Sequence, residues 1–269
     1  MMPIRLGVVG YLNSRPLVFG LDRSPRFSLR YDVPSECARL LHAADVDLGL
    51  IPSIEYLQGG EYSIVPDLAI ASRGAVASVA IFTTRPIEDV RSIVMDTSSR
   101  TSVALTRILC ARLFKIQPTI ETHVPDLPAM LGRGDAALMI GDKALLAVDS
   151  SLDGRVTPIE KIDLGQAWTE WTGMPFVWAF WAGRSGALAS EDVRLLQGAR
   201  DQGVEQPDAI VREYFRDSPV HQAIGARYLR DNIKYRLGPD ERAALETFYR
   251  YAAEAGLAPA GGGLRFYRS

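Results

Sequence analysis

Small polar side chains crowd two places where an apolar run ends. Ile4–Gly10 leads directly into Tyr11-Leu12-Asn13-Ser14-Arg15-Pro16-Leu17, and Ile93-Val94-Met95-Asp96 leads into Thr97-Ser98-Ser99-Arg100-Thr101-Ser102 ahead of an apolar helical pattern. Each reads as a strand whose end feeds a helix start. A helix N-terminus presents unpaired N–H groups and the positive end of its dipole, so such a junction receives anions. Two of them, one from each half of a bilobed chain, would grip a small anionic molecule from both sides. Ser53 after Pro52, and Gly141-Asp142 after Ala136–Ile140, open two more helices in the same way.

These residues also have plain structural readings. Asn13, Ser14, Ser98, Ser99 and Thr101 are of the types that cap helices and make turns, and Asp142 at a helix start reads as a cap before it reads as an acid. Ser78 lies in an apolar strand pattern, where a serine is often a satisfied core hydroxyl. Other chemistries find no motif. His42, His123 and His221 have no metal-ligand spacing, so no metal is expected. Gly7, Gly10 and Gly20 do not make a dinucleotide fingerprint, and neither a nucleophile elbow nor a Walker sequence is present. The pattern fits a chain that works without a cofactor.

The elements that must hold these junctions alternate. Strand patterns at Phe27–Val33, Val46–Ile51, Tyr62–Ile70 and Ser78–Thr84 are interleaved with a helix through Cys37, Leu40 and Leu41 and a short one at Ile54–Leu57. After Arg85-Pro86 the rhythm restarts: strands at Ile93–Met95, Thr119–His123 and Ala136–Ile140, helices through Leu105, Ile108, Leu109 and Leu113 and through Leu145 and Leu146, then a helix over Asp163–Trp171 and an apolar strand at Pro175–Ala182. From Ser190 onward the chain reads as helical, with Leu245, Phe248, Tyr249 and Ala252 as one stripe. This rhythm predicts an α/β fold of two lobes with mixed, mostly parallel sheets and a ligand cleft between them. The expected division is residues 1–84 plus 182–269 for a discontinuous first lobe and 85–181 for the second, with Ser78–Thr84 and Phe176–Ala182 as crossing segments.

Composition narrows the classes. The chain has 269 residues, 47% of them hydrophobic, a net charge of −2 and no basic run, which argues against nucleic acid. Cys37 and Cys110 fall inside apolar helical patterns and read as buried free thiols. No secretory signal is recognisable and no apolar run is long enough to span a bilayer, so a cytoplasmic protein without membrane association is expected.

Several segments occur in a specific order: Tyr11–Leu17, Asp47–Ser53, Gly74–Val79, Asp96–Ser102, Ile140-Gly141-Asp142, Thr172–Val177 and Tyr228–Ile233. In that order they resemble the chorismate dehydratase family of the futalosine route to menaquinone, whose fold is similar to type II periplasmic solute-binding proteins. The resemblance covers nearly the whole chain. It implies conversion of chorismate to 3-[(1-carboxyvinyl)oxy]benzoate and water, with an asparagine and a serine at the reacting centre that map to Asn13 and Ser78. Loss of the C3 proton and the C4 hydroxyl makes the ring aromatic, so the reaction needs no redox cofactor, and a monomer or homodimer is expected. Substrate contacts are expected from Ser14, Ser53, Thr97, Ser98, Ser99, Arg100, Thr101, Ser102, Gly141 and Asp142. The proton-abstracting base is then the substrate's own enolpyruvyl carboxylate or Glu55, with His123 a remote candidate. A solute-binding protein and the related enzyme that releases 1,4-dihydroxy-6-naphthoate are the alternative readings.

Overall fold

The computed structural model describes residues 2–150, 159–260 and 263–268. Two sheets organise it. The first has the strand order β2 (Phe27–Asp32), β1 (Ile4–Val9), β3 (Leu48–Pro52), β11 (Phe176–Arg184) and β4 (Tyr62–Ile64), with β5 (Ile70–Ser72) also pairing with β11. The second runs β10 (Glu160–Asp163), β6 (Val79–Thr83), β9 (Ala136–Ile140), β7 (Ser92–Met95) and β8 (Thr119–Thr122). Within the first, β1 is parallel to β2 and β3, whereas β11 runs antiparallel to its neighbours. The second is parallel at β7–β8 and β7–β9 and antiparallel at β6.

The composition of each strand explains its place. β3, β6 and β9 are apolar runs, broken only by Thr83 at the end of β6, and are buried at every position, as central strands covered on both faces must be. The edge strands β2 and β8 (Phe-Ser-Leu-Arg-Tyr-Asp and Thr-Ile-Glu-Thr) carry polar residues that keep an open edge from pairing with other chains.

Helices cover the sheets: α1 (Pro34–His42), α2 (Arg100–Leu109), α3 (Leu127–Leu131), α4 (Gly141–Ser150), α5 (Leu164–Thr172), α6 (Ser190–Val204), α7 (Pro207–Tyr214), α8 (Pro219–Arg227) and α9 (Pro239–Glu254). The helical C-terminal third and the stripe in α9 are as the sequence predicts, and Leu245, Phe248, Tyr249 and Ala252 are buried. Cys37 and Cys110 are buried free thiols, and burial pushes each thiol up to about 12.

Several expectations change. Tyr62–Ile70 is not one strand but β4 and β5 flanking a turn that includes Asp67 at φ 61°. A further strand, β10, precedes α5. Sheet membership also moves the crossings between lobes: β6 lies wholly in the second sheet and β11 in the first, so the chain passes over at residues 73–78 and 173–175. An apolar strand reads the same from sequence in either sheet, because both cores accept it.

The junction after β1 is not an α-helix start. Leu12–Val18 forms a tight 3-10 turn with Pro16 inside it. This turn is clamped by α6, where a Cβ on Gly203 would lie 2.2 Å from the Pro16 carbonyl oxygen. Only glycine permits that approach of helix to turn.

Candidate active site

The C-terminal ends of β1, β3 and β9 face one another across the gap between the sheets. There they enclose a cavity with about 460 Å³ of empty space, part of it open to solvent. Asn13 and Ser78, 65 residues apart in sequence, both line it, as do Ser99, Ser102 and Gly141. The remaining wall is largely apolar: Val9, Tyr11, Pro34, Pro52, Ile70, Val76, Val79, Ile140, Trp178 and Ala179. A mostly apolar wall with a few convergent polar groups is the usual make-up of a small-molecule site.

Each polar group is held by packing from several elements. Asn13 sits in the Leu12–Val18 turn, half-buried, with Oδ1 buried and without a hydrogen-bond partner among the described residues. Ser78 follows Ala77, which has φ 64°, a sparsely populated conformation for a residue with a Cβ. That backbone is fixed from all sides. Asp163 accepts from Val76 N and Ala77 N at 3.0 and 2.6 Å, Lys161 Nζ donates to Ala77 O at 2.8 Å, and Asn232 Nδ2 donates to Ala75 O at 2.8 Å. The Ser78 hydroxyl is 2.7 Å from the Tyr228 hydroxyl. Burial raises the Tyr228 phenol well above its ordinary value; Ser78 and Asn13 beside it work in the opposite direction.

Ser99 caps α2, and its hydroxyl accepts from Ser102 N at 3.5 Å and from Ser102 Oγ at 3.2 Å. The cavity therefore meets the start of a 10-residue helix with two hydroxyls beside the free amides. Ser98 stands at the rim. It donates to Asp96 Oδ1 at 2.6 Å and so accepts from the Tyr11 hydroxyl at 3.3 Å, joining the two lobes.

Other expected contacts face elsewhere. Ser14 is fully buried and its hydroxyl donates to Val9 O and Tyr11 O, at 2.5 and 2.9 Å. Ser53 donates to Val177 O at 2.8 Å, and Thr101 Oγ1 accepts from Ile54 N at 3.1 Å, so both hydroxyls serve the packing of α2 on the turn after β3. Thr97 is exposed. Arg100 points away from the cavity to Glu55, at 3.0 Å. Glu55 itself is 1% exposed and also meets His42 Nε2 at 3.0 Å. His42 and Arg100 hold its carboxyl below the usual range against the opposing effect of burial. It does not line the cavity, and neither does His123, whose Nδ1 is 2.7 Å from Val124 O.

Asp142 is half-buried behind the cavity, not in its wall. Its oxygens accept from Leu12 N at 3.1 Å and from the Tyr214 hydroxyl at 2.5 Å, and burial raises its carboxyl above the ordinary value. Arg15, which reads from sequence as a solvated side chain, is stacked between the rings of Tyr31 and Tyr214, at 4.3 and 4.9 Å. Trp178, Phe180 and Trp181 read from sequence as core with one able to face the cleft, and Trp178 is the one that does; Tyr11 and Tyr228 carry no site signal of their own. Tyr11 and Tyr228 lie inside ordered segments that the resemblance already marked, but nothing local distinguishes them from core aromatics.

The comparisons agree with this architecture. Residues 4–254 match the family model described as menaquinone biosynthesis. The chain is 31% identical over 260 residues to the chorismate dehydratase of Thermus thermophilus, covering 92% of this chain and 94% of that one. It is 26% identical to the chorismate dehydratase of Campylobacter jejuni, covering 94% and 99%. Among solved structures, the alkanesulfonate-binding protein SsuA from Xanthomonas axonopodis pv. citri superposes with a TM-score of 0.67 at 16% identity, over 96% of this chain and 95% of that one. That likeness shows the fold alone, the two-lobed architecture of periplasmic binding proteins. The match over almost the full length makes this chain a member of the menaquinone-biosynthesis family to which the chorismate dehydratases belong.

Proposed function

We propose that this protein is a chorismate dehydratase, a hydro-lyase that converts chorismate to 3-[(1-carboxyvinyl)oxy]benzoate and water in the futalosine route to menaquinone, in the cytoplasm. The observation that carries the reading is the convergence of Asn13, Ser78, Ser99 and Ser102 on one interlobe cavity in a member of this family.

Chorismate is a dianion whose ring carboxylate is conjugated through C1=C2 to C3. The start of α2, with Ser99 and Ser102, suits that carboxylate. When the C3–H bond breaks, its electron pair delocalises into the ring carboxylate, so donors there stabilise the transition state more than the ground state. The enolpyruvyl carboxylate takes the C3 proton. The electron pair then forms C3=C4 as the C4 hydroxyl leaves, collecting that proton to depart as water. The product ring is aromatic, and no net electron transfer is needed.

Asn13 orients the enolpyruvyl carboxylate. Ser78 assists the leaving hydroxyl: its Oγ lies 2.7 Å from the Tyr228 hydroxyl, and in the arrangement where Tyr228 donates, the Ser78 proton is free for the substrate. The apolar wall excludes water, which strengthens each of these interactions.

Incubation with chorismate should yield an aromatic product, followed by absorbance and chromatography. Asn13→Ala and Ser78→Ala should each lower kcat by about 10²–10³-fold, the scale for loss of one transition-state donor, with an unchanged circular dichroism spectrum. Binding of chorismate without its consumption would instead favour a solute-binding role. Wild-type kcat in both variants would remove the assignment of the reacting pair.

A further inference from the structure

Three segments meet behind Asn13. Asp142, the second residue of α4, comes from the lobe built on the second sheet; the Leu12–Val18 turn and Tyr214, at the end of α7, come from the other. Asp142 Oδ1 accepts from Leu12 N, the amide next to Asn13, at 3.1 Å. Its Oδ2 accepts from the Tyr214 hydroxyl at 2.5 Å, and the same hydroxyl lies 2.9 Å from Gly10 O, on the strand end that leads into the turn. The Arg15 guanidinium, stacked on the Tyr214 ring at 4.9 Å, brings a positive charge that favours the ionised form of this half-buried carboxylate.

A carboxylate here is poorly suited to touch the substrate. It would repel a dianion, it does not line the cavity, and both of its oxygens already accept hydrogen bonds. It is well suited to fix the distance between the lobes at the point where Asn13 projects. Gly141, immediately before it, packs on the Tyr11 ring, so the clamp joins both walls of the cleft.

We propose that Asp142, with Tyr214, is a positioning residue: an interlobe clamp that holds the Leu12–Val18 turn, and with it Asn13, at its working distance from Ser78. The inference rests on the reading of function above. Loss of the clamp lets Asn13 drift while the anion contacts at α2 stay in place, so turnover falls and affinity does not.

The test uses the full chain and two readouts. In steady state with chorismate, Asp142→Ala should lower kcat by about 100-fold with KM within about threefold of wild type, since misplacement by about 1 Å is enough for such a loss. Asp142→Asn keeps an acceptor for Leu12 N and should recover all but about tenfold. Tyr214→Phe, which removes the hydroxyl's bonds to Asp142 and to Gly10 O but leaves the bond from Leu12 N, should fall between wild type and Asp142→Ala. Native-state hydrogen exchange at the Leu12 amide should be slow in wild type and Tyr214→Phe and fast in Asp142→Ala, whatever the substrate. A Leu12 amide equally protected in Asp142→Ala, or a raised KM with kcat retained, would overturn the clamp. Failure of wild type itself to consume chorismate would overturn the function instead, and the exchange result would still judge the clamp.

Discussion

Gly141 offers the sharpest quantitative test of the cleft geometry, because one methyl group reports on both of its walls. The residue opens α4 at φ 66°, a conformation that costs a residue with a Cβ about 1–2 kcal/mol. A Cβ added there would lie 2.8, 2.9 and 2.9 Å from the Cε2, Cδ2 and Cζ atoms of Tyr11. Real Cβ contacts do not come this close, and the ring has little room to yield: its hydroxyl is tied to Ser98 at 3.3 Å and its flank is packed on the core. Overpacking of this kind costs about 1–3 kcal/mol. Gly141→Ala should therefore destabilise the protein by about 2–5 kcal/mol, a fall in Tm of roughly 5–15 °C for a chain of this size. The two contributions separate in a double-mutant cycle read by thermal or urea unfolding. In a Tyr11→Ala background the clash disappears and only the backbone cost of about 1–2 kcal/mol remains, leaving a coupling of about 1–3 kcal/mol. The reasoning is wrong if Gly141→Ala melts within about 2 °C of wild type, or if its cost is the same with and without the Tyr11 ring.

Two further expectations concern the body of the protein. Asp192 accepts from Arg26 Nε at 2.6 Å and from Ala189 N at 2.9 Å, and the Arg26 hydrogen bond chiefly holds its carboxyl below the usual range. A depressed acid stabilises the fold above the unfolded carboxylate pKa of about 3.9, and the contribution is lost as pH falls through the lower folded value. Asp192→Asn should cost about 1–3 kcal/mol at neutral pH, with the gap to wild type closing at acid pH; a gap independent of pH counts against the ion pair. Cys37 and Cys110, buried with thiols pushed up to about 12, should resist a thiol reagent at pH 8 in the native state and react after denaturation. Fast labelling of either native thiol contradicts their burial.

The α/β class, the presence of two lobes and the neighbourhood of the cleft are all legible along the chain. The signals there are local. Runs such as Leu48–Pro52 and Ala136–Ile140 have no face to give to water, and Ser99 with Ser102 is spaced to cap the helix it begins. Those patterns act within a few residues, so they can be read along the chain. Burial of free thiols and the helical C-terminal third were legible for the same reason.

Which polar side chain at each junction turns into the cavity depends on long-range packing. Ser14 and Ser53 are of the same type as Ser99 and Ser102, yet their hydroxyls point to Val9 O and Val177 O. Asp142 meets Leu12 from 130 residues away and Tyr228 meets Ser78 from 150. Arg100 turns outward because Glu55 is buried beside it with His42 on its other side. Such pairings depend on how two lobes pack, and hydrophobic periodicity carries no record of them. A hydroxyl's direction is chosen by whichever acceptor the fold brings near, which is why the residue types at the site were visible in one dimension and their roles only in three.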